Sequence, residues 1–146
     1  MLAGGQLTEN CAGVILLVEN SGKLRKLAAE ALREHEFHVL EASNADEAIN
    51  SFQEWPDSIS LVITDLEMPG KSGLELANYI SARDRHLPLL FISLHSGEVL
   101  SRLLSPARDF LSKPFSPAAL VDKVRQMTRK QTPGSECHGV AALTVL

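Results

Sequence analysis

The chain has 146 residues, 45% hydrophobic and 22% charged, which suits one globular domain; with aromatics at 5%, its core must be mostly aliphatic. A net charge of -4 gives no electrostatic basis for binding nucleic acid, an affinity that rests on neutralising phosphates. No apolar run approaches the roughly 20 residues that span a bilayer, and the opening MLAGGQLTEN lacks the basic and apolar regions of a signal peptide.

Residues 1–12 show no periodicity and read as a flexible arm or linker. Val14-Ile15-Leu16-Leu17-Val18 is a short, branched apolar run, the pattern of a strand buried on both faces of a parallel sheet; it stops at Glu19-Asn20. Leu24, Leu27, Ala28, Ala31 and Leu32 then recur at helical spacing. Phe37 to Ala42 reads as a second, less buried strand, its polar His38 and Glu41 suiting an edge. Asn44 with Glu47 three positions on predicts a capping box opening a helix with Ala45, Ala48, Ile49 and Phe52 on one face. Leu61 to Thr64 is a buried strand ending at Asp65, followed by the turn MPGKSG and a helix carrying Leu74, Ala77, Tyr79 and Ile80. Leu89 to Ile92 is a fourth strand ending at Ser93, residues 97–104 a short helix, and Phe110-Leu111 a short fifth strand ending near Lys113-Pro114. Ser116, with Pro117 behind it, caps a final helix with Leu120, Val121 and Val124 inward. The expected division is an arm at 1–12, a domain at 13–130 and an unassigned tail at 131–146.

Five strands alternating with five helices predict an α/β domain: a doubly wound parallel sheet with right-handed crossovers and helices on both faces. The polar residues fall in a telling place. Glu19-Asn20, Asp65, Ser93 and Lys113 each stand at or just after the C-terminal end of an apolar strand, the edge where such sheets bind ligands. An acid pair, a hydroxyl and an amine converging there suit magnesium-assisted phosphoryl transfer to a carboxylate. Alone, each residue has a plainer role, as turn acid, helix-capping hydroxyl or solvated lysine. Cys11 and Cys137, near opposite ends without metal spacing, fit a reducing, cytoplasmic setting, with a disulfide between them left open.

The run Asp65-Leu66-Glu67-Met68-Pro69-Gly70-Lys71-Ser72-Gly73, the Leu111-Ser112-Lys113-Pro114-Phe115 segment and the strand closing on Ser93 resemble the response-regulator receiver family of bacterial two-component phosphorelays, over about residues 13–128. The resemblance implies a flavodoxin-like sheet of strand order 2-1-3-4-5. It implies Asp65 as phosphoacceptor, Lys113 as the phosphate-contacting lysine, Ser93 and Phe110 as switch residues, and a cis bond at Lys113-Pro114. It places magnesium on Glu19, Asn20, Asp65 and the Glu67 backbone carbonyl. The implied partner is a histidine kinase or histidine phosphotransfer protein. A homodimer would use the face of the fourth helix, fifth strand and fifth helix, and neither nucleic acid nor membrane would be bound.

Three departures qualify this. Asn20 replaces an acid at the expected metal site, Leu94 stands after Ser93 where the family keeps Ala or Gly, and Ser105-Pro106 shortens the fourth helix. The expectations are therefore weak magnesium binding and a narrowed approach to Asp65. The motifs also look similar to receivers at the C-terminus of hybrid histidine kinases. A non-enzymatic signalling role is expected, against two rivals. One is a degenerate receiver acting only as a binding module; the other is a phosphohydrolase of the haloacid dehalogenase type, which Asp65-Leu66-Glu67 superficially fits.

Overall fold

A computed structural model of the protein describes residues 13–94 and 108–131. The elements are β1 (Val14–Val18), α1 (Gly22–Glu34), β2 (His38–Ala42), α2 (Ala45–Glu54), β3 (Ile59–Asp65), α3 (Gly73–Arg83), β4 (Leu89–Ser93), β5 (Arg108–Ser112) and α4 (Pro117–Gln131). The strands form one parallel sheet, as the alternation of elements predicts, in the order β2-β1-β3-β4-β5 that the family resemblance implies. The expected helix over 97–104, the arm, most of the tail and both cysteines lie outside the described residues. Among those described, no helix is long and apolar enough to cross a membrane.

Side chains alternate along each strand, so the sheet feeds two cores. Ile15, Leu17, Leu61, Ile63, Leu90 and Ile92 point to the α1 and α4 side, where they meet Ala28, Leu32, Leu120 and Val124. Val14, Leu16, Val18, Val62, Leu89 and Phe91 point the other way, onto Ala48 and Phe52 of α2 and Leu76, Ala77 and Ile80 of α3. Continuous apolar runs in β1, β3 and β4 are thus the mark of strands covered on both faces. β2 and β5 lie at the edges and are only partly buried.

Several local expectations shift by a residue. Leu27, placed on the inner face of α1 by spacing, is 54% exposed; the buried set is Ala28, Ala29, Ala31 and Leu32. On α3, Leu76 is buried while Leu74 and Tyr79 lie at the margin. Asn44 caps α2 through the Glu47 N–H at 2.8 Å. Glu47, however, accepts from the N–H and hydroxyl of Ser43 at 2.7 and 2.9 Å and so ties down the residue before the cap. A capping box does form at α3, between Ser72 and Glu75. Ser116 caps α4 by accepting from the Ala119 N–H at 3.0 Å.

α1 ends in a turn that puts Glu36 at φ 71°, a left-handed conformation that costs a side-chain-bearing residue about 1 kcal/mol or more. Glu36 is exposed. Glu36→Gly is therefore expected to stabilise the domain by about 0.5–1 kcal/mol, the relieved strain exceeding the added unfolded-state entropy. A urea-unfolding midpoint measures the difference.

Candidate functional site

The parallel register sets the ends of the central strands side by side. Val18 pairs with Thr64, Asp65 with Ile92, and Ser93 with Ser112, so Glu19, Asp65, Ser93 and Lys113 emerge at one sheet edge. Backbone bonds carry the alignment past the strand ends: the Leu66 N–H donates to the Ile92 carbonyl at 2.9 Å and the Lys113 N–H to the Ser93 carbonyl at 2.8 Å. The Lys113-Pro114 peptide bond is cis.

Three of the four side chains are buried, an unusual state for polar groups without full pairing: Glu19, Asp65 and Ser93 are at most 3% exposed. The Lys113 ammonium reaches across the edge to Asp65 Oδ1 at 2.9 Å and Glu19 Oε1 at 3.4 Å. Those two oxygens accept no hydrogen bond of good geometry among the described residues, and each is paired with that ammonium. The second oxygens are met by backbone: Glu19 Oε2 accepts from the Ser21 N–H at 2.9 Å, and Asp65 Oδ2 is 3.4 Å from the Asn20 N–H. The Asn20 side chain is exposed.

Two carboxylates therefore share one ammonium. Burial, followed by the Asp65 carboxylate alongside, pushes Glu19 up to about 7, although the Ser21 N–H and Lys113 pull the other way. Burial by itself would lower Lys113, but the adjoining Asp65 and then Glu19 outweigh it and hold the ammonium above its usual value. The pocket has an excess of buried negative charge and oxygen donors, which fits a hard divalent cation. Its acidic donors are Glu19 and Asp65; among the described residues no three His, Cys, Asp or Glu side chains gather as a metal site.

Ser93 is fully buried at the end of β4, and its hydroxyl donates to both Glu67 carboxylate oxygens, at 3.2 and 3.4 Å. The contact of the Glu67 side chain with Ser93 carries no signal in the sequence, because it depends on how the β3 and β4 ends meet. Phe110 is partly buried on β5 against the α2 and α3 core. Leu94, expected to narrow the approach to Asp65, is 75% exposed, because the chain bends out of the sheet directly after Ser93. Trp55 follows α2 and lies near the start of β3, at the sheet edge opposite the acid pocket.

The family pattern described as the response regulator receiver domain matches residues 15–125. The chain belongs to this receiver family. It is 34% identical over 136 residues to the response regulator protein FleR of Pseudomonas aeruginosa, covering 90% of this chain and 28% of that protein. It is 32% identical over 124 residues to the phosphate regulon transcriptional regulatory protein PhoB of Klebsiella pneumoniae, covering 82% and 53%. The receiver thus spans about half or less of these curated relatives. Among solved structures, the receiver domain of the hybrid histidine kinase CckA is 33% identical with a TM-score of 0.69, over 80% of this receiver and 99% of that chain. Response regulator receivers are signalling modules of two-component systems, and the sheet order found here is theirs.

Proposed function

We propose that Asp65 accepts a phosphoryl group from a histidine kinase or histidine phosphotransfer protein, with magnesium, and that Ser93, Phe110 and Lys113 turn the modification into a conformational change. The observation that carries this reading is the 2.9 Å approach of the Lys113 ammonium to Oδ1 of the buried Asp65, beside a second buried carboxylate. One Asp65 oxygen forms a bond to phosphorus as the donor's nitrogen–phosphorus bond breaks, and the imidazole leaves with the electron pair. The product carries more negative charge than the carboxylate it replaces. Lys113 is already placed to take a phosphoryl oxygen. Ser93, its hydroxyl now donating to Glu67, would turn that donor to another phosphoryl oxygen and vacate space for Phe110.

Glu19, Asn20, Asp65 and the Glu67 backbone carbonyl would hold the metal. Magnesium, when bound, neutralises the carboxylate pair and the incoming phosphoryl oxygens. Asn20 leaves the set one formal charge short, worth on the order of a few kcal/mol at close range. Magnesium affinity is therefore expected to be weaker than micromolar. Calorimetry suits this measurement better than fluorescence, since Trp55 lies at the opposite sheet edge.

The test is incubation with magnesium and acetyl phosphate, read by intact mass. A labile adduct that disappears in Asp65→Asn is the expected result. No adduct at all points to a receiver that only binds partners, and turnover of phosphate esters points to a phosphohydrolase. A cytoplasmic location, a non-enzymatic role and a homodimer through β5, α4 and the segment before β5 belong to the same reading. The hybrid-kinase subtype has support in the CckA likeness, but the FleR and PhoB likenesses are as strong and separate no subtype.

A further inference from the structure

The acid pocket places Glu19, at the start of the β1–α1 turn, beside Asp65, with the Lys113 ammonium reaching both. Something must hold that turn in place. The Glu19 N–H donates to the Ala42 carbonyl of β2 at 3.0 Å, which fixes one side of the residue. Its carbonyl is taken by Arg25, whose Nη1 donates at 2.8 Å from the first turns of α1. The same guanidinium is anchored by its Nε to Glu41 Oε1 on β2, at 3.3 Å. Glu41 Oε2 accepts from Arg33 Nη1 at 3.0 Å, and Arg33 Nη2 donates to the Val39 carbonyl at 2.9 Å. A chain of planar, multidentate contacts thus runs from β2 through two arginines to the peptide group of the buried acid.

We propose that Arg25 is a positioning residue for the acid pocket, holding the Glu19 peptide so that the Glu19 carboxylate and the Asn20 N–H face Asp65, with Glu41 and Arg33 holding Arg25 in turn. Arg25 contacts no reacting atom; it acts through Glu19. Its guanidinium joins a backbone carbonyl and a carboxylate at once, which the single point charge of a lysine cannot do in the same geometry. Glu41, which marks β2 as a polar edge strand, acquires a second use as the anchor of this clamp.

The inference rests on the reading of the pocket as a magnesium site, and titration of the full chain with magnesium alone separates the two. The expected result is that wild type binds and that Arg25→Met weakens the affinity about tenfold, as loss of a group orienting a metal ligand commonly does. Arg25→Lys, which keeps the charge, should not restore it. Glu41→Gln, which keeps the shape and releases Arg25, should show a smaller loss in the same direction and stands in if Arg25→Met does not fold. Thermal unfolding without magnesium serves as the control for a merely structural role. If wild type binds magnesium and Arg25→Met and Glu41→Gln bind it equally well, whatever their melting temperatures, the inference is overturned and the reading of the pocket survives. If wild type takes up no magnesium, both fall.

Discussion

Lys113→Met is expected to lower stability by about 1–3 kcal/mol at pH 8 and by clearly less at pH 5. Removing one partner of a buried ion pair typically costs about 3–5 kcal/mol, and the partial exposure of Lys113 reduces that. The pH dependence follows from Glu19. Its carboxyl titrates near 4.5 when unfolded and near 7 in the folded protein, so the penalty for its charge is absent at low pH and grows as pH rises from about 4.5 through 7. Without Lys113, whose charge pulls Glu19 down, that range extends higher. At pH 5 Glu19 keeps its proton and can donate it to Asp65, replacing the ammonium in part. At pH 8 two buried carboxylates face each other with no counter-charge. Added magnesium should recover much of the loss at pH 8 and little at pH 5. Urea unfolding at both pH values, with and without the metal, measures all four quantities; an equal loss at both would mean that the two carboxylates are not coupled.

Gly73→Ala should have the other large effect, and for a different reason. A Cβ at Gly73 would lie 2.0 Å from the Asp65 carbonyl oxygen and 2.9 Å from the Asp65 carbonyl carbon and Leu66 Cα, all backbone atoms that cannot rotate away. The Gly73 N–H already donates to the Leu66 carbonyl at 2.9 Å, so the start of α3 is tied to the residue directly after Asp65. An alanine must push either α3 or Asp65 aside by about an ångström. Overpacking of this kind costs about 2–3 kcal/mol, and a displacement of that size at a reacting group costs on the order of 100-fold in rate. Both a lowered unfolding midpoint and slowed adduct formation are expected. Gly70→Ala is the contrasting variant: Gly70 has φ +78° with open space around it, so its substitution costs backbone strain of about 1–2 kcal/mol and leaves Asp65 where it was.

Much of this was open to a reading of the residues. The unbroken apolar runs at Val14–Val18 and Leu61–Thr64 required strands buried on both sides, and polar residues abruptly ending each run required that those residues share the sheet's C-terminal edge. That argument puts Asp65, Ser93 and Lys113 together at one edge, and the structure brings them there. Residue-level facing was less legible. Leu27 sits at helical spacing with the core residues of α1 yet points to solvent, because the small residues Ala28, Ala29 and Ala31 let the helix lie close to the sheet along a neighbouring stripe. Glu47 satisfies Ser43 instead of the cap, a choice decided by the local path of the chain.

Order, type and polarity of the elements were determined by sequence alone, since they follow from period and from where hydrophobicity stops. Tertiary structure decided what the polar groups face. That Glu19 and Asp65 share one ammonium, that Ser93 donates to Glu67 and that Arg25 takes the Glu19 carbonyl all depend on strands and helices distant in the chain meeting within hydrogen-bonding distance. Hydrophobic burial is non-directional and survives a shift of an ångström. Hydrogen bonds and buried charges do not, so the chemistry of this edge is set by the packed structure.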